Sequence, residues 1–410
     1  LLTAGGARLL RPRALDLAFA AEAWAGEILV VLFLRGGCDG LSMVPPVGGR
    51  DRALYEESRP SLRIPEAGDK AALQLDDRFG LHPAARPLVD LYRDRKLAII
   101  HATGLTSDSR SHFDAQAYME LGTPDRKSTS SGWITRHLQS LPDTSSAASE
   151  FLAVSVTPLV PTSLLALPQA AVINGLGGFN LAGNKSVQSE QMRAMREMYS
   201  REGWLQGVGR EALNAVAVLQ NVRPNDYVPA NGAQYPKADI GNRLKILAQL
   251  IKMDLGVHVA TVDMGGWDTH KFQGTGSDGY FANLVGQLSQ SLVAFYQDLS
   301  GAGGCSNRLT IVVMSEFGRR VKENANHGTD HGHGNIMMVL GDHVNGGRVY
   351  GEWPGLATDR LYDRADLAVT TDYRRVLAEI ATRRLRNQRL DLIFPDYRGY
   401  KPQNLVSGPV

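Results

Sequence analysis

Cysteine is scarce in this chain of 410 residues. Cys38 and Cys305 are the only two, which excludes a disulfide framework and leaves room for one bridge at most. Two separate, buried thiols are the simpler expectation. No apolar run approaches the roughly 20 residues that a membrane-spanning helix needs. An excess of one charge is also missing. The 44 Lys+Arg against 42 Asp+Glu give a formal net charge of +2, too even for a nucleic-acid surface or a patch that binds anionic lipid. Internal repeats, low-complexity tracts, a Walker-type loop and a G-x-S-x-G elbow are likewise lacking. The glycines of residues 36–40 have the wrong spacing for a dinucleotide fingerprint, and no helix pattern opens there. Partners must therefore be read from local sites.

What is present is enough apolar residue, 43%, to bury a large α/β core. Residues 28–34 (ILVVLFL) form a continuous apolar run rich in β-branched residues, as expected of a central parallel strand covered on both faces. A helical stretch over 83–92 precedes a second strand over 96–101, the alternation of a βαβ unit. The rhythm returns later. A helix period over 242–255 leads into a strand over 257–262, and a long amphipathic helix over 280–299 leads into a strand over 309–314. A strand over 336–340 and a helix over 373–385 follow. Between the halves, residues 157–239 break the rhythm with Pro, Gly, Asn and polar helical stretches such as 189–203. This predicts a core built from 27–156 and 240–410, with 157–239 inserted as a cap. Residues 1–26 are small and apolar with a few arginines and Ala-rich, cleavage-like positions, and read as the remainder of an export signal.

In open parallel sheets, ligands bind beyond the carboxyl ends of the strands, and the chemically useful side chains fall there. Asp39 follows the first strand, Ser109-Arg110-Ser111-His112 the second, Asp268 and His270 the third and Glu316 the fourth. Asp330, His331 and His333 precede the fifth. Carboxylates and neutral imidazoles are the ligands that a divalent ion accepts at neutral pH. In an extended Asp268-Thr269-His270 both outer side chains share one side. Taken singly, each is an ordinary polar loop residue; their common place at strand ends is the signal. Ser109 to His112 open a helix, where a serine is a natural cap. The same helix end, with Arg110, suits an anion attacked by a hydroxyl; Ser111 is the first candidate for that hydroxyl and Ser109 the second. Arg319 and Arg320 are candidate contacts to an anionic substrate. Cys38 reads as a buried thiol at a tight turn.

Five ordered motifs carry a resemblance: FLRGGCDGL (33–41), SRSHFDAQAYMELGTP (109–124), GGWDTH (265–270), MSEFGRR (314–320) and GTDHGHG (328–334). Together they resemble a bacterial domain-of-unknown-function family with twin-arginine export signals, which is itself similar to the alkaline phosphatase and sulfatase superfamily. The resemblance implies an alkaline-phosphatase-like, three-layer α/β/α core with a mostly parallel sheet. It implies export by the twin-arginine route to the periplasm, cell envelope or exterior, and one or two divalent ions, with Zn, Mg, Mn and Ca not distinguished. By position, Asp39 is similar to the superfamily's bridging ligand and Ser111 or Ser109 to its nucleophile. Asp268, His270 and His331 or His333 correspond to the ligands of one ion, and Glu316 to the acid of the other. Phe317 stands where the superfamily's Asp-His pair would place a histidine, which leaves the second ligand set incomplete. Residues 106–110 lack the cysteine and proline of the sulfatase nucleophile motif. The implied activity is hydrolysis or transfer of a small anionic phosphate or sulfate ester. The alternative is a non-catalytic, metal-stabilised envelope or assembly protein of the same fold, and a phosphate-moving mutase is a weaker third.

Overall fold

The structure is a computed structural model that describes residues 26–141, 151–157, 159–168, 170–173, 187–220 and 226–408. The export-signal expectation for residues 1–26 thus lies outside the described residues, Gly26 apart. The eleven strands are β1 (Ile28–Leu34), β2 (Leu73–Gln74), β3 (Gly80–Leu81), β4 (Leu97–Gly104), β5 (Ala153–Val156), β6 (Ala170–Val172), β7 (Val259–Met264), β8 (Leu309–Met314), β9 (Asn335–Leu340), β10 (Val349–Tyr350) and β11 (Thr371–Asp372). β2 and β3 pair with each other; the other nine form one sheet in the order β10-β4-β9-β8-β1-β7-β5-β6, with β11 beside β4. The pairs within it are parallel except β8–β9 and β4–β9. β9 alone therefore runs against the rest. The chain is an α/β protein with a large, mostly parallel sheet, as its strand and helix pattern predicts.

β1 is central because nothing in ILVVLFL needs water. Its side chains alternate, as a strand's must: Ile28, Val30, Leu32 and Leu34 enter one core, and Leu29, Val31 and Phe33 the other. The first core is covered by the helices Asp239–Lys252 and Tyr280–Asp298, through Leu244, Leu247, Ile251, Val285, Leu288 and Leu292. The second is covered by the helices His112–Leu121, Trp133–Gln139 and Tyr373–Arg383, through Ala115, Met119, Ile134, Val376, Leu377 and Ile380. The 83–92 stretch is a short 3-10 turn, Pro83–Ala85, followed by the helix Leu88–Arg93. β4 runs three residues beyond its predicted end because a bulge with Ala102 in the left-handed region (φ 51°) carries it onward to pair with β11. Residues 157–239 also supply β6 at the sheet edge and the helix Gln188–Met198, so part of the segment belongs to the sheet. Cys38 and Cys305 are free and buried.

Four histidines, His82, His101, His137 and His258, are buried in this frame. His101 Nε2 faces the Val44 carbonyl at 3.0 Å while its Nδ1 accepts from the Ala102 amide. His82 does the same with the Gly276 carbonyl and the Ala84 amide. His137 Nδ1 accepts from Asn387 and its Nε2 meets His258 Nε2 at 3.3 Å. These partners fit neutral rings, and burial pushes His82, His101 and His258 down to about 4 and His137 down to about 3. Unfolded, each ring takes its proton near its ordinary value of 6.5. The stability they contribute is thus complete above pH 6.5 and lost as pH falls towards 4. Unfolding free energies from denaturant titration should drop between pH 7 and pH 5, by on the order of 2 kcal/mol for each such ring. A flat profile over that interval would show that the rings take up protons equally in the folded and unfolded protein.

Candidate functional site

Eight strands share one direction, so the loops after β1, β4, β7 and β8 open on one edge of the sheet. The loop before β9 opens there too, because β9 is reversed. The loops also touch through glycine. A Cβ on Gly36 (φ 118°) would sit 2.6 Å from the Asp268 amide nitrogen, and one on Gly328 would sit 2.4 Å from the His270 carbonyl carbon. Only a residue without a side chain lets these backbones approach so closely.

One side chain then fastens the loops. Arg319, from the loop after β8, is 1% exposed. Its Nε donates to Gly37 O at 2.6 Å and Nη1 to Thr329 O at 2.8 Å. Its Nη2 donates to Gly36 O, to Trp267 O at 3.1 Å and to Asp268 Oδ1 at 2.7 Å. The donors of the guanidinium fork thereby join segments after β1 and β7 and before β9. Arg59, also fully buried, adds a second tie. It pairs with Asp39 at 2.6 Å and donates to the Arg320 and Val321 carbonyls.

Asp268 is the meeting point. Its Oδ1 lies 3.3 Å from His112 Nε2, 3.2 Å from His270 Nε2 and 3.3 Å from His331 Nε2. The last two nitrogens are 2.9 Å apart. Donor atoms of His112, Asp268 and His331 all fall within 4.8 Å of one another and form a group that can hold a metal ion. Ligands about 2.0–2.1 Å from a tetrahedral zinc stand about 3.3 Å from each other, close to these separations.

The opposite ring nitrogens show which way the lone pairs point. His112 Nδ1 lies 2.8 Å from Glu316 Oε1, His270 Nδ1 3.0 Å from Asp330 Oδ1, and His331 Nδ1 2.8 Å from the Arg110 carbonyl. Carboxylates and carbonyls only accept, so each Nδ1 carries a hydrogen, and a ring that gives up its second proton presents a bare Nε2. His112 and His331 then offer Nε2, and Asp268 a carboxylate oxygen, as one group that can hold a cation, with His270 Nε2 3.2 Å from Asp268 Oδ1. His112 Nε2 is buried and makes no hydrogen bond; its 3.3 Å approach to Asp268 lacks hydrogen-bond geometry. Burial works against the charge on Asp268, but the hydrogen bond and charge of Arg319 outweigh it and hold the carboxyl down to about 2. The Glu316 hydrogen bond raises His112 above the ordinary imidazole value against its burial. Burial, with the charges of Arg319 and His112, lowers His331.

The predicted site residues thus separate into groups. Asp268, His270 and His331 come together, and His112, expected among the catalytic groups, joins them as a donor. Glu316 and Asp330, expected as ligands, orient the imidazoles instead. Glu316 is fully buried and saturated: Oε1 accepts from His112, Gln116 and the Gly36 amide, and Oε2 from Ser315. Asp39 is withdrawn from the centre, because Arg59, Ser42 and Gln273 occupy its carboxylate. His333 stacks on Tyr362 at 4.2 Å. The Arg110 guanidinium is held by Asp363 and Asp366, so what it offers the site is its carbonyl. Ser111 caps the helix His112–Leu121 with a long 3.4 Å contact to the Asp114 amide, and Ser109 accepts from the Ser111 amide at 3.3 Å. Phe317 stacks on His112 and also packs against His331. Gln116, Arg59 and Gln273 carried no signal in the sequence, being isolated polar residues on helices and loops.

The family described as "Protein of unknown function (DUF1501)" matches residues 27–391, and the chain belongs to it. No curated protein and no solved structure matched the chain.

Arg319→Lys should destabilise the fold by on the order of 3 kcal/mol, because an ammonium cannot span the five acceptors and leaves buried carbonyls unpaired. Urea unfolding of the two proteins measures this, and an unchanged midpoint would deny Arg319 its fastening role.

Proposed function

We propose that this member of the DUF1501 family is a metal-dependent hydrolase of phosphate or sulfate monoesters, with one divalent ion held by Asp268, His112, His270 and His331. The observation that carries the reading is the convergence of three imidazole Nε2 atoms on Asp268 Oδ1 while each Nδ1 is tied to a fixed acceptor. Buffering the far nitrogen in this way is how metal-binding histidines are oriented. Three nitrogens and one oxygen suit zinc or a neighbouring transition ion; magnesium and calcium prefer oxygen throughout. The Asp268 side chain is 49% exposed, which leaves the centre open to solvent as catalytic sites are, unlike the closed cages of structural zinc.

Bound there, a divalent ion supplies a Lewis acid that polarises an ester oxygen and eases loss of a proton from a hydroxyl at neutral pH. The chain supplies the rest. The helix His112–Leu121 begins at the centre, and its first amides, those of His112 and Phe113, have no acceptor within the helix. They present partial positive charge to the anionic oxygens of the ester. Ser111, next to the donor His112, brings the attacking hydroxyl. The bond from Ser111 Oγ to phosphorus or sulfur forms as the bond to the leaving alkoxide breaks, and the serine proton leaves with the alcohol. Water then displaces the serine oxygen, releases the inorganic anion and restores the hydroxyl. Asp330 and Glu316 accept no proton here; they hold rings in place.

A metal-stabilised envelope or assembly protein is the second reading. Arg110 and Arg319 are both engaged by carboxylates, so neither guanidinium is free for an anionic substrate. Export by the twin-arginine route belongs to either reading and rests on the sequence alone.

Purified protein should retain a transition ion through dialysis, measured by elemental analysis, and should turn over aryl phosphates or sulfates. Asp268→Ala should lose both ion and turnover. Ser111→Ala should keep the ion and lose turnover by roughly 100-fold or more, whereas Ser109→Ala stays within a few-fold. A retained ion with no turnover of any such ester gives the structural reading, and full activity in Ser111→Ala transfers the attack to water. Glu316→Ala should weaken ion affinity by about 10–100-fold, readable by competition with a chelating dye; unchanged affinity would remove its orienting role.

A further inference from the structure

We propose that Gln116, itself set by Arg35, is a positioning residue of the ion centre that fixes the Glu316 carboxylate behind the donor His112; this rests on the ion-binding part of the reading above and not on its ester chemistry. His112, Gln116 and Glu120 stand four residues apart on the helix His112–Leu121, the spacing that puts side chains on one face. His112 Nδ1 and Gln116 Nε2 both reach Glu316 Oε1, each at 2.8 Å. The Gly36 amide is the third donor to that oxygen, also at 2.8 Å. Glu316 is fully buried, so bulk water does not replace a donor removed there.

The amide of Gln116 has one satisfied orientation. A guanidinium only donates and a carboxylate only accepts. Arg35 Nη1 lies 3.3 Å from Gln116 Oε1, so the carbonyl end faces Arg35 and the NH2 end faces Glu316. Turned over, the amide would set hydrogens against the guanidinium and its oxygen against the carboxylate. Arg35 is held in turn. Its Nη2 pairs with Glu120 and, at 3.0 Å, with Asp263 on β7, and its guanidinium lies 4.2 Å from the centre of the Phe33 ring. Glu120 also accepts from the Thr162 amide at 3.0 Å. A line of contacts thus runs from Arg35 through Gln116 and Glu316 to His112, starting at the ends of β1 and β7. An imidazole whose Nδ1 acceptor is free to turn loses the aim of its Nε2. Neither Gln116 nor Arg35 is a ligand; both act through Glu316.

Gln116→Met keeps the length of the side chain and removes the amide. In the full chain, zinc affinity measured against a chelating dye should fall roughly 3- to 10-fold, less than for Glu316→Ala because His112 and Gly36 still serve Oε1. The visible spectrum of the cobalt-loaded variant should shift with the geometry at His112, while the unfolding midpoint of the ion-free protein stays unchanged. Arg35→Lys, whose ammonium cannot span Gln116, Glu120 and Asp263, should also lower zinc affinity, and the double variant should bind no more weakly than Gln116→Met alone. Unchanged zinc affinity in Gln116→Met, or an unaltered cobalt spectrum with a lower midpoint of the ion-free protein, would overturn the proposal. Additive losses in the double variant would remove Arg35 from it. Should Gln116→Met not fold, Gln116→Ala carries the same comparison. The two readings fail separately. A wild type that binds neither zinc nor cobalt removes the centre itself, whereas bound ions without ester turnover remove the hydrolase and leave the role of Gln116 standing.

Discussion

The buried guanidinium of Arg319 is the constraint on which the site depends. It donates to carbonyls after β1, after β7 and before β9, and to the Asp268 carboxylate. Loops are ordinarily the mobile part of an α/β fold; here the loop after β8 and the loop before β9 pair through an antiparallel bridge at Arg319 and His331. The planar fork of Arg319, with all three nitrogens donating, adds the loops after β1 and β7 to that pair. That arrangement is what brings His112, His270 and His331 onto one oxygen. Gly36 and Gly328 permit the approach, and Arg59 with Asp39 repeats the device deeper in the protein.

The acidic residues divide by partner rather than by distance along the chain. Asp39 and Asp366 neutralise buried or half-buried arginines. Glu316 and Asp330 fix imidazole tautomers. Asp268 faces the Nε2 atoms of His112, His270 and His331 and remains half open to solvent. Around the rings, Phe317 packs against His112 and His331 and forms an apolar wall beside them. A second cation would find Glu316 already saturated by four donors. Among the described residues, His112, Asp268 and His331 are the group whose donor atoms could hold an ion.

The legible parts of the fold were those that local chemistry dictates. β1 and β8 have the predicted limits because a β-branched apolar run bounded by polar and glycine-rich segments has only one comfortable conformation. The helix Tyr280–Asp298 ends one residue short of its predicted limit, and the helix Asp239–Lys252 starts three residues early. β5 and β6 were not seen. At four and three residues they are too short for periodicity, and pairing of β5 with β7 and of β6 with β5, rather than composition, makes them strands. The bulge at Ala102 and the split of 83–92 into two turns are likewise set by neighbours.

By itself the sequence determined that the chain is α/β and that carboxylates and imidazoles, Asp268, His270 and His331 among them, flank strands at one edge of the sheet. Strand type and period are local properties, written in adjacent residues. Tertiary structure alone decided which carboxylate meets the imidazoles and which are used elsewhere. Asp39 follows the first strand as aptly as Asp268 follows the seventh, and Arg59, Ser42 and Gln273 take it away. The reversal of β9 likewise brings a residue ahead of a strand to the same rim as residues behind the others. Such choices depend on partners some 20 to 280 positions away, whose competition for each carboxylate is settled by packing in three dimensions.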